Sequence, residues 1–307
     1  MTIQTIALAD CQVKLQHNPQ VWSPFSATEI LQVLKAQGYL DNLQHSHVLD
    51  FGTGSGILGI ALGLAGAASI TLSDYCEIAV AIAAQNAKHN GLEQIEVIHS
   101  DRFTQVQRQD YDLILCNPPV QPWLYTDLTD QSHRQRVEAW NEAGADGRLV
   151  LDSLLLEAMN HLKVGGRLIT ATSSRHGYAK TQHLLDVYWG QWREIYAVEQ
   201  PIVPDYHGPY LKSWQAMQAQ DLDLRVYQKD EQGRPFAFYH QAGVPELITL
   251  ENETPTRWQQ GNTGWQTITI DGQNTKTLTE VDLNRLLQAQ QESCWYYMYY
   301  IVEAIKT

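Results

Sequence analysis

The chain has 307 residues, of which 44% are hydrophobic and 18% are charged, as in globular proteins with a buried core. Its net charge of −13 disfavours a nucleic-acid partner, because phosphate contacts usually need a basic surface. No apolar run reaches membrane-spanning length, and Met1–Gln20 lacks the features of a signal peptide. The four cysteines have no paired or metal-ligand spacing. We therefore expect a cytoplasmic protein with free thiols, no metal and no membrane contact.

Strands and helices alternate through the first two thirds of the chain, a pattern that predicts a mostly parallel sheet covered on both faces. We expect strands at His47–Phe51, Ser69–Ser73, Ile95–His99, Tyr111–Cys116, Arg167–Thr172 and Trp192–Val198. The helices between them are expected at Ile57–Ala65, Glu77–Asn90, Leu149–Leu162 and Tyr178–Gly190. Two of these helices are expected to stop at Asn90-Gly91 and Gly165-Gly166.

The alternation stops between about Pro201 and Glu292. In this stretch we predict a hairpin, a short strand and a helix that begins with a capping box. They are assigned to Leu224–Tyr227 with Phe236–Tyr239 around a turn at Gln232-Gly233, to Thr267–Ile270, and to Val281–Gln290 with Thr279-x-x-Asp282. The aromatic and β-branched Trp295–Ile305 predicts a last strand, antiparallel in the main sheet.

The predicted fold class is α/β, a doubly wound, Rossmann-like sheet of seven mostly parallel strands with an antiparallel last strand. Residues 1–200 and 293–307 would form it, with a lead segment at 1–45. Residues 201–292 would be an insertion that acts as a substrate-recognition subdomain or lid. A separate small C-terminal domain remains the alternative.

A glycine-rich turn, Gly52-Thr53-Gly54-Ser55-Gly56, follows the first predicted strand. Glycine allows a tight turn there and lets a ligand approach the backbone. The pattern Gly54-x-Gly56-x-x-Gly59 also fits a dinucleotide site, so a nicotinamide enzyme is an alternative. However, Asp50 stands just before the glycines, where an acid suits the amino-acid end of S-adenosylmethionine better than a pyrophosphate.

Acidic and aromatic residues follow the second and third predicted strands. Asp74 is placed to accept hydrogen bonds from both ribose hydroxyls, and Tyr75 to pack on the base. In the next turn, Asp101 is suited to accept from the adenine amino group, with Arg102 and Phe103 beside it to cover the ring. The alternative for Asp101 is a helix N-cap.

Asn117-Pro118-Pro119 directly follows the apolar strand Tyr111–Cys116. Two prolines fix the chain in an extended turn, and this would aim the Asn117 side chain and the Pro118 carbonyl into the crevice. Two acceptors there can orient the N–H groups of a poorly nucleophilic amide or amine nitrogen towards a methyl donor. An ordinary Asn-Pro turn is the structural alternative.

The sequence resembles class I methyltransferases with an Asn-Pro-Pro motif, and within them the HemK-like N-methyltransferases. The resemblance spans about Val21–Thr172 and rests on the glycine turn, Asn117-Pro118-Pro119 and Ala139–Arg148, with the lead segment Val21–Glu29. It implies S-adenosylmethionine as the cofactor, with Thr28 near its methionine moiety. Val120 departs from the pattern, since an aromatic residue normally follows the prolines.

Several residues near this turn are candidates for binding the substrate. Trp123 or Tyr125 would replace the missing aromatic residue beside Pro119 and Val120. An anionic group of the substrate would suit the cluster that contains Arg134 and Arg136. We also propose a lid around Tyr206. Ordinary packing and solvated charges are the alternatives for all of them.

The leading hypothesis is an N-methyltransferase that acts on an amide, amine or guanidine nitrogen of a peptide, protein or small metabolite. Methylation of a nucleic-acid base is a second hypothesis, opposed by the acidic charge and by Val120, because a flipped base needs a stacking partner. A non-catalytic cofactor-binding module and a nicotinamide oxidoreductase are the other two. The oligomeric state is not predicted.

Overall fold

The computed structural model of the chain describes residues 3–8, 11–16, 18, 21, 25–93, 95–122, 143–203, 210–211, 213–218, 225–241, 244–251, 254–261, 264–267, 277–292 and 294–307. Within these ranges no helix is both long and apolar enough to cross a bilayer. The same residues contain no cluster of three or more His, Cys, Asp or Glu side chains that could hold a metal ion.

An antiparallel hairpin and a helix precede the main sheet. The hairpin consists of β1 (Ile3–Leu8) and β2 (Cys11–Gln16), and the helix is α1 (Phe25–Ala36). The later helices are α2 (Ile57–Leu64), α3 (Glu77–His89), α4 (Leu149–Glu157), α5 (Tyr178–Tyr188) and α6 (Glu280–Glu292). Residues 210–211 and 213–218 are also helical.

The main sheet has seven strands in the order β5-β4-β3-β6-β7-β14-β8. They are β3 (His47–Phe51), β4 (Ser69–Asp74), β5 (Glu96–His99), β6 (Tyr111–Cys116), β7 (Leu162–Ser173), β8 (Trp192–Pro201) and β14 (Tyr296–Ile305). Strand β14 is antiparallel to β7 and β8, whereas the pairs from β5 to β7 are parallel. The predicted doubly wound sheet with an antiparallel last strand is confirmed.

Two apolar clusters cover the two faces of this sheet. Buried residues of α1, α2 and α3 pack on one face, and those of α4 and α5 pack on the other. The strand period of two is visible in β14, where Ile301 belongs to the first cluster and its neighbour Val302 to the second. Because both faces are covered, ligands have access to this sheet at its carboxyl edge, where β3 and β6 end.

The prediction for Gly165-Gly166 was wrong, because both glycines lie inside β7 and stop no helix. Helix α4 already ends at Glu157, and the 3-10 turn Ala158–His161 leads directly into β7. The glycines are held by the far end of the chain: Gly165 N–H donates to the Lys306 carbonyl at 2.7 Å, and Lys306 N–H donates to the Gly166 carbonyl at 2.9 Å. Asn90-Gly91, in contrast, does follow the end of α3.

A second, antiparallel sheet lies between β8 and β14 in sequence. It consists, in spatial order, of β13 (Gly264–Thr267), β12 (Thr254–Gly261), β11 (Val244–Glu251), β10 (Pro235–Gln241) and β9 (Gln228–Lys229). Helix α6 packs on one face through Leu286 and Ala289. The N-cap part of the predicted capping box is confirmed, since Asp282 N–H donates to Thr279 Oγ1 at 3.1 Å, and the Thr279 hydroxyl donates to Asp282 Oδ2 at 2.6 Å.

The predicted hairpin forms, but its first strand is β9 (Gln228–Lys229), which pairs with β10, and not Leu224–Tyr227. Leu224 lies outside the described residues, and Tyr227 forms an isolated bridge to Tyr296, which ties the second sheet to the first residue of β14. The turn at Gln232-Gly233 is present, with Gly233 at φ 76°. Of the predicted strand Thr267–Ile270, only Thr267 is described, as the last residue of β13. The division into a methyltransferase domain and an insertion stays a prediction.

Candidate functional site

The turn between β3 and α2 depends on glycine for its backbone conformation. Gly52, Gly54 and Gly56 all have positive φ, at 69°, 55° and 86°. This left-handed region is costly for residues with a Cβ atom. The turn is also fixed to β4, because the N–H groups of Gly52 and Thr53 both donate to the Ser73 carbonyl at 2.9 Å.

Asp50 lies beneath this turn with 1% of its surface exposed. Its Oδ2 accepts from the Thr53 hydroxyl at 2.6 Å and from Gly59 N–H at 2.8 Å, so it joins the turn to the first residues of α2. Burial raises the pKa of Asp50 to about 6, against the effect of these two hydrogen bonds. Asp50 therefore organises the turn from below, and any effect on the amino-acid end of a cofactor would act through the turn.

The lead segment reaches the same turn from the other side. Asn86 of α3, fully buried, donates from Nδ2 to the Ser55 carbonyl at 2.8 Å and accepts from Gln16 N–H of β2 at 2.7 Å. Val21 packs next to the turn, 3.9 Å from where a Gly54 Cβ would lie. Thr28 is half-buried on α1, and its predicted contact with the methionine moiety stays a prediction.

Asp74 ends β4 and faces the glycine turn. Its Oδ2 accepts from Gly54 N–H and its Oδ1 from Cys76 N–H, both at 2.8 Å. Burial raises the pKa of Asp74 although these hydrogen bonds lower it. A carboxylate oxygen has more than one lone pair, so both oxygens can also accept from ribose hydroxyls. Tyr75 is 63% exposed, with its ring centre 6.3 Å from that of His99, so most of its ring surface is accessible to a base.

The turn after β5 holds the predicted adenine-binding residues. Asp101 is exposed and pairs with Arg102, whose Nε lies 3.0 Å from Asp101 Oδ1. Asp101 caps no helix, because residues 102–105 form a turn. Phe103 is buried, and its ring stacks between Phe51 at 4.4 Å and His161 at 4.6 Å. Core packing accounts for Phe103 without a ligand, and both faces of its ring are already covered.

A cavity of about 630 Å³ adjoins this turn at the edge of β5. Tyr75 and Asp101 line it on the side of the predicted adenine position, together with His99 and Arg108. The His99 ring nitrogen Nε2 lies 2.7 Å from the Tyr75 carbonyl, which links β5 to the residue that follows β4. The cavity provides room beside the adenine position but does not extend to the glycines.

Asn117 directly follows the last residue of β6 and lies at the same level of the sheet as the start of the glycine turn. Phe51 of β3 pairs with Cys116 of β6, so Gly52 and Asn117 leave adjacent strands at the same level. Such strands are about 5 Å apart. Asn117 and Pro119 are half-buried and Pro118 is buried. The structure thus brings together the glycine turn and the Asn-Pro-Pro turn, as the sequence predicts.

The segment before α4 packs against the Asn-Pro-Pro turn. Gly147 has φ 78°, and a Cβ built there would lie 2.6 Å from the carbonyl oxygen of Val120, the residue after the prolines. Val120 itself is half-buried. The next residue of this segment, Arg148, is 3% exposed and is the N-cap that precedes α4.

Arg148 fixes the end of β7, a role that the sequence analysis missed. Its Nη1 donates to the His176 carbonyl at 2.6 Å and to the Gly177 carbonyl at 3.1 Å, and its Nε donates to Asp152 at 2.8 Å. Burial holds the pKa of His176 well below its usual value, and the charges of Arg175 and Arg148 act in the same direction. A basic residue after the Asp-Gly pair was the available signal, but the His176 and Gly177 carbonyls that it holds are remote in sequence.

Several predicted substrate-binding residues lie outside the described residues. They are Trp123, Tyr125, Arg134, Arg136 and Tyr206. Their roles stay predictions.

The described turn suits S-adenosylmethionine. A Cβ at Gly52 would meet nothing within 4 Å, so the approach to the backbone is open on that side. Asp74 lies beside the turn, where it would accept from the ribose hydroxyls, and Tyr75 follows it, where it would pack on the base. Asn117 lies at the level where the reacting groups would meet. These residues would hold the cofactor along the carboxyl edge from β5 to β6.

Comparisons with known proteins agree with this arrangement. The family model of the methyltransferase small domain matches residues 19–133. The chain is 32% identical over 173 residues to a candidate protein N5-glutamine methyltransferase of Methanocaldococcus jannaschii, a match that covers 55% of this chain and 80% of that protein. It is 35% identical over 146 residues to the release factor glutamine methyltransferase of Shewanella oneidensis, with 46% of this chain and 48% of that protein covered.

A third relative is the ribosomal protein uL3 glutamine methyltransferase of Xanthomonas campestris, 30% identical over 52% of this chain and 54% of the relative. The chain thus spans about half the length of the release factor and ribosomal protein uL3 glutamine methyltransferases that it matches. The fold matches a solved Thermus thermophilus 16S rRNA N2 G1207 methyltransferase in complex with AdoMet and guanosine. That match has a TM-score of 0.50 at 18% identity and covers 64% of this chain and 47% of the other.

At 18% identity, this structural match supports only the fold. The archaeal relative carries the assignment, because the alignment includes most of its length. The chain therefore belongs to the HemK-like family of class I methyltransferases, and it is an enzyme that takes its methyl group from S-adenosylmethionine.

Proposed function

We propose that this enzyme methylates the side-chain amide nitrogen of a glutamine in a protein. The observation that carries the proposal is the register of β3 and β6, which starts the glycine turn and Asn117 at the same level of the carboxyl edge. The relatives named as glutamine methyltransferases support the same acceptor. Two of them are named for a release factor and for ribosomal protein uL3, and this makes a protein substrate the first to test.

An amide nitrogen is a weak nucleophile because its lone pair is delocalised into the carbonyl group. We assign to the Asn117 side-chain oxygen and the Pro118 carbonyl the task of accepting the two N–H groups of the acceptor amide. Pro118 and Pro119 have no N–H and restricted backbone angles, so this pair of acceptors is preorganised. The bound cofactor supplies an activated methyl group on its sulfonium.

The transfer balances without a further reactant. The nitrogen–carbon bond forms as the carbon–sulfur bond breaks, and the products are a methylated amide and S-adenosylhomocysteine. The nitrogen then loses one proton to solvent. A strong base is not required, since the proton becomes acidic once the nitrogen carries the methyl group.

We assign recognition of the protein acceptor to the second sheet. Its bridge from Tyr227 to Tyr296 holds it at the start of β14, and β14 starts at the carboxyl edge because it runs antiparallel to β7. Hydrogen exchange on the full chain, with and without the acceptor, tests this assignment. Slower exchange in β10–β12 is expected, and an unchanged rate throughout this sheet contradicts the assignment.

Isotopically labelled S-adenosylmethionine tests the proposed reaction. The purified chain is incubated separately with a bacterial release factor, with ribosomal protein uL3 and with ribosomal RNA, and the products are digested and analysed by mass spectrometry. A labelled methyl group on a glutamine side chain is expected, and Asn117→Ala should not produce it. Label only on RNA bases, or on no product, would overturn the proposal.

A further inference from the structure

An arginine buried beyond the end of β7 lacks an acidic partner. Arg175 is 6% exposed, and its Nε donates to Ser173 Oγ at 3.1 Å. Its Nη1 has no hydrogen-bond partner, and among the described residues no carboxylate forms an ion pair with it. Burying a charge without a counter-charge is unfavourable, so this arrangement needs an explanation.

Two aromatic rings hold the Arg175 guanidinium in place. Its central carbon lies 3.8 Å from the ring centre of Tyr297 in β14 and 5.2 Å from that of Trp214. Cation–π contacts of this kind offset part of the cost of burial. They act on the faces of the guanidinium, however, and leave the in-plane N–H groups of Nη1 available for an anion.

Two more buried polar groups without partners lie on the two elements whose aromatic rings contact Arg175, the helix of Trp214 and strand β14. Gln218 is 1% exposed and neither atom of its amide has a partner, while Tyr299 is 6% exposed and its hydroxyl has none. Gln218 lies one helical turn after Trp214, on the same helix face. Tyr299 pairs in register with Ser173, the residue that Arg175 contacts.

Arg175 follows β7, the strand next to the one that leads into Asn117. Strand β7 neighbours β6, with Thr170 paired to Cys116, so Arg175 and Asn117 both emerge at the same edge of the sheet. The backbone there is fixed, because Arg148 holds the His176 carbonyl. A ligand that spans the two turns would therefore meet a rigidly placed cation.

We propose that Arg175, Gln218 and Tyr299 bind a carboxylate of the methyl acceptor, and we call this group the Arg175 site. The proposal rests on the proposed function, in which Asn117 holds the acceptor amide. The carboxylate accepts from Arg175 Nη1 and the Tyr299 hydroxyl, and the Gln218 amide completes the set. Helical residues 213–218 shield these groups in this structure, so the carboxylate enters when they move away from β14.

The source of the carboxylate can be distinguished with three glutamine probes. N-acetylglutamine carries a free α-carboxylate, N-acetyl-Gln-Glu-amide carries a side-chain carboxylate, and N-acetylglutamine amide carries none. We expect kcat/KM for methylation to be about tenfold or more higher for one of the acidic probes than for the neutral one. A preference for N-acetylglutamine indicates that the carboxylate is that of a chain end or a free amino acid. A preference for N-acetyl-Gln-Glu-amide indicates an acidic residue next to the glutamine.

Conservative variants test the residues themselves. Tyr299→Phe and Gln218→Leu remove polar atoms that have no partner in the protein, so we expect each to raise Tm while raising KM for the preferred probe about tenfold. Affinity for S-adenosylhomocysteine and kcat should change little. Arg175→Lys keeps the charge but loses the planar fork, and it should raise KM at least as much.

Tyr111→Phe is the matched control. Tyr111 is also buried, but its hydroxyl donates to Thr71 Oγ1 at 3.0 Å at the opposite end of β6. This variant should have a lower Tm and an unchanged KM. Unchanged KM in both Tyr299→Phe and Gln218→Leu would overturn the inference, as would acidic probes that are not methylated or are no better than the neutral one. A methylated glutamine in a protein would then leave the proposed function standing.

Discussion

Replacing Asp50 with asparagine should raise the free energy of unfolding at neutral pH. Burial raises the pKa of Asp50 from 3.8 to about 6, so the folded protein binds this proton more tightly than the unfolded chain does. Between these two pH values the folded state carries more protons, and its stability therefore falls as pH rises through the window. Above pH 6 the Asp50 carboxylate is ionised and buried in the folded protein, and it lowers the free energy of unfolding by its full amount.

The size of the effect follows from the shift. About two pKa units correspond to about 3 kcal/mol, of which about 2 kcal/mol falls between pH 4 and pH 7. Asparagine is neutral throughout, and its Oδ1 can still accept from the Thr53 hydroxyl and Gly59 N–H. The new Nδ2 group needs partners in a buried place, which costs about 1–2 kcal/mol at every pH.

Urea unfolding of both proteins at a series of pH values between 4 and 7 is the assay. The variant-minus-wild-type difference isolates Asp50, because the other titrating groups cancel. This difference should grow by about 2 kcal/mol from pH 4 to pH 7. A difference that stays flat, or that shrinks as pH rises, would refute the claim that burial dominates at Asp50.

Asp112→Asn is a control of opposite sign. Burial raises the pKa of Asp112, but the hydrogen bond from His47 N–H and the contact with Lys163 outweigh it and hold the pKa below its usual value. Its folded form thus binds the proton less tightly than the unfolded chain, and its contribution is lost as pH falls through the lowered pKa. The stability deficit of Asp112→Asn should therefore shrink towards acidic pH.

Three further outcomes are expected. Asn117→Ala should keep S-adenosylhomocysteine affinity in calorimetry but slow transfer by about 100-fold or more, and near-normal turnover would contradict its role. Gly147→Ala should lower Tm and turnover more than Gly165→Ala: both glycines have φ 78°, but only a Cβ at Gly147 meets a neighbour, the Val120 carbonyl. Asn86→Ala should lower the free energy of unfolding in urea by about 2–3 kcal/mol and weaken S-adenosylhomocysteine binding, since it removes the hydrogen bond between α3 and the glycine turn. Unchanged affinity would show that the turn keeps its conformation without Asn86.

Local sequence patterns predicted the structure correctly where residues close in sequence determine it. The apolar strand Tyr111–Cys116 and the turn Asn117-Pro118-Pro119 are adjacent, and proline restricts the backbone wherever it stands. The alternation of apolar segments also predicted the order of strands and helices along the chain. The last strand was predictable because its aromatic and β-branched composition favours a strand regardless of its neighbours.

Long-range contacts decided the rest. Gly165 and Gly166 lie in a strand because their backbone groups pair with Lys306. Tyr227 forms a bridge with Tyr296 and is not part of the hairpin strand. Arg148 and Arg175 each also contact a group remote in sequence, the His176 carbonyl and the Trp214 ring, that no local window contains. The sequence by itself determined most strands and turns of the main sheet. Remote hydrogen bonds and burial, which exist only once the sheet is assembled, determined the start of β7, the pairing of Tyr227 and what the side chains face.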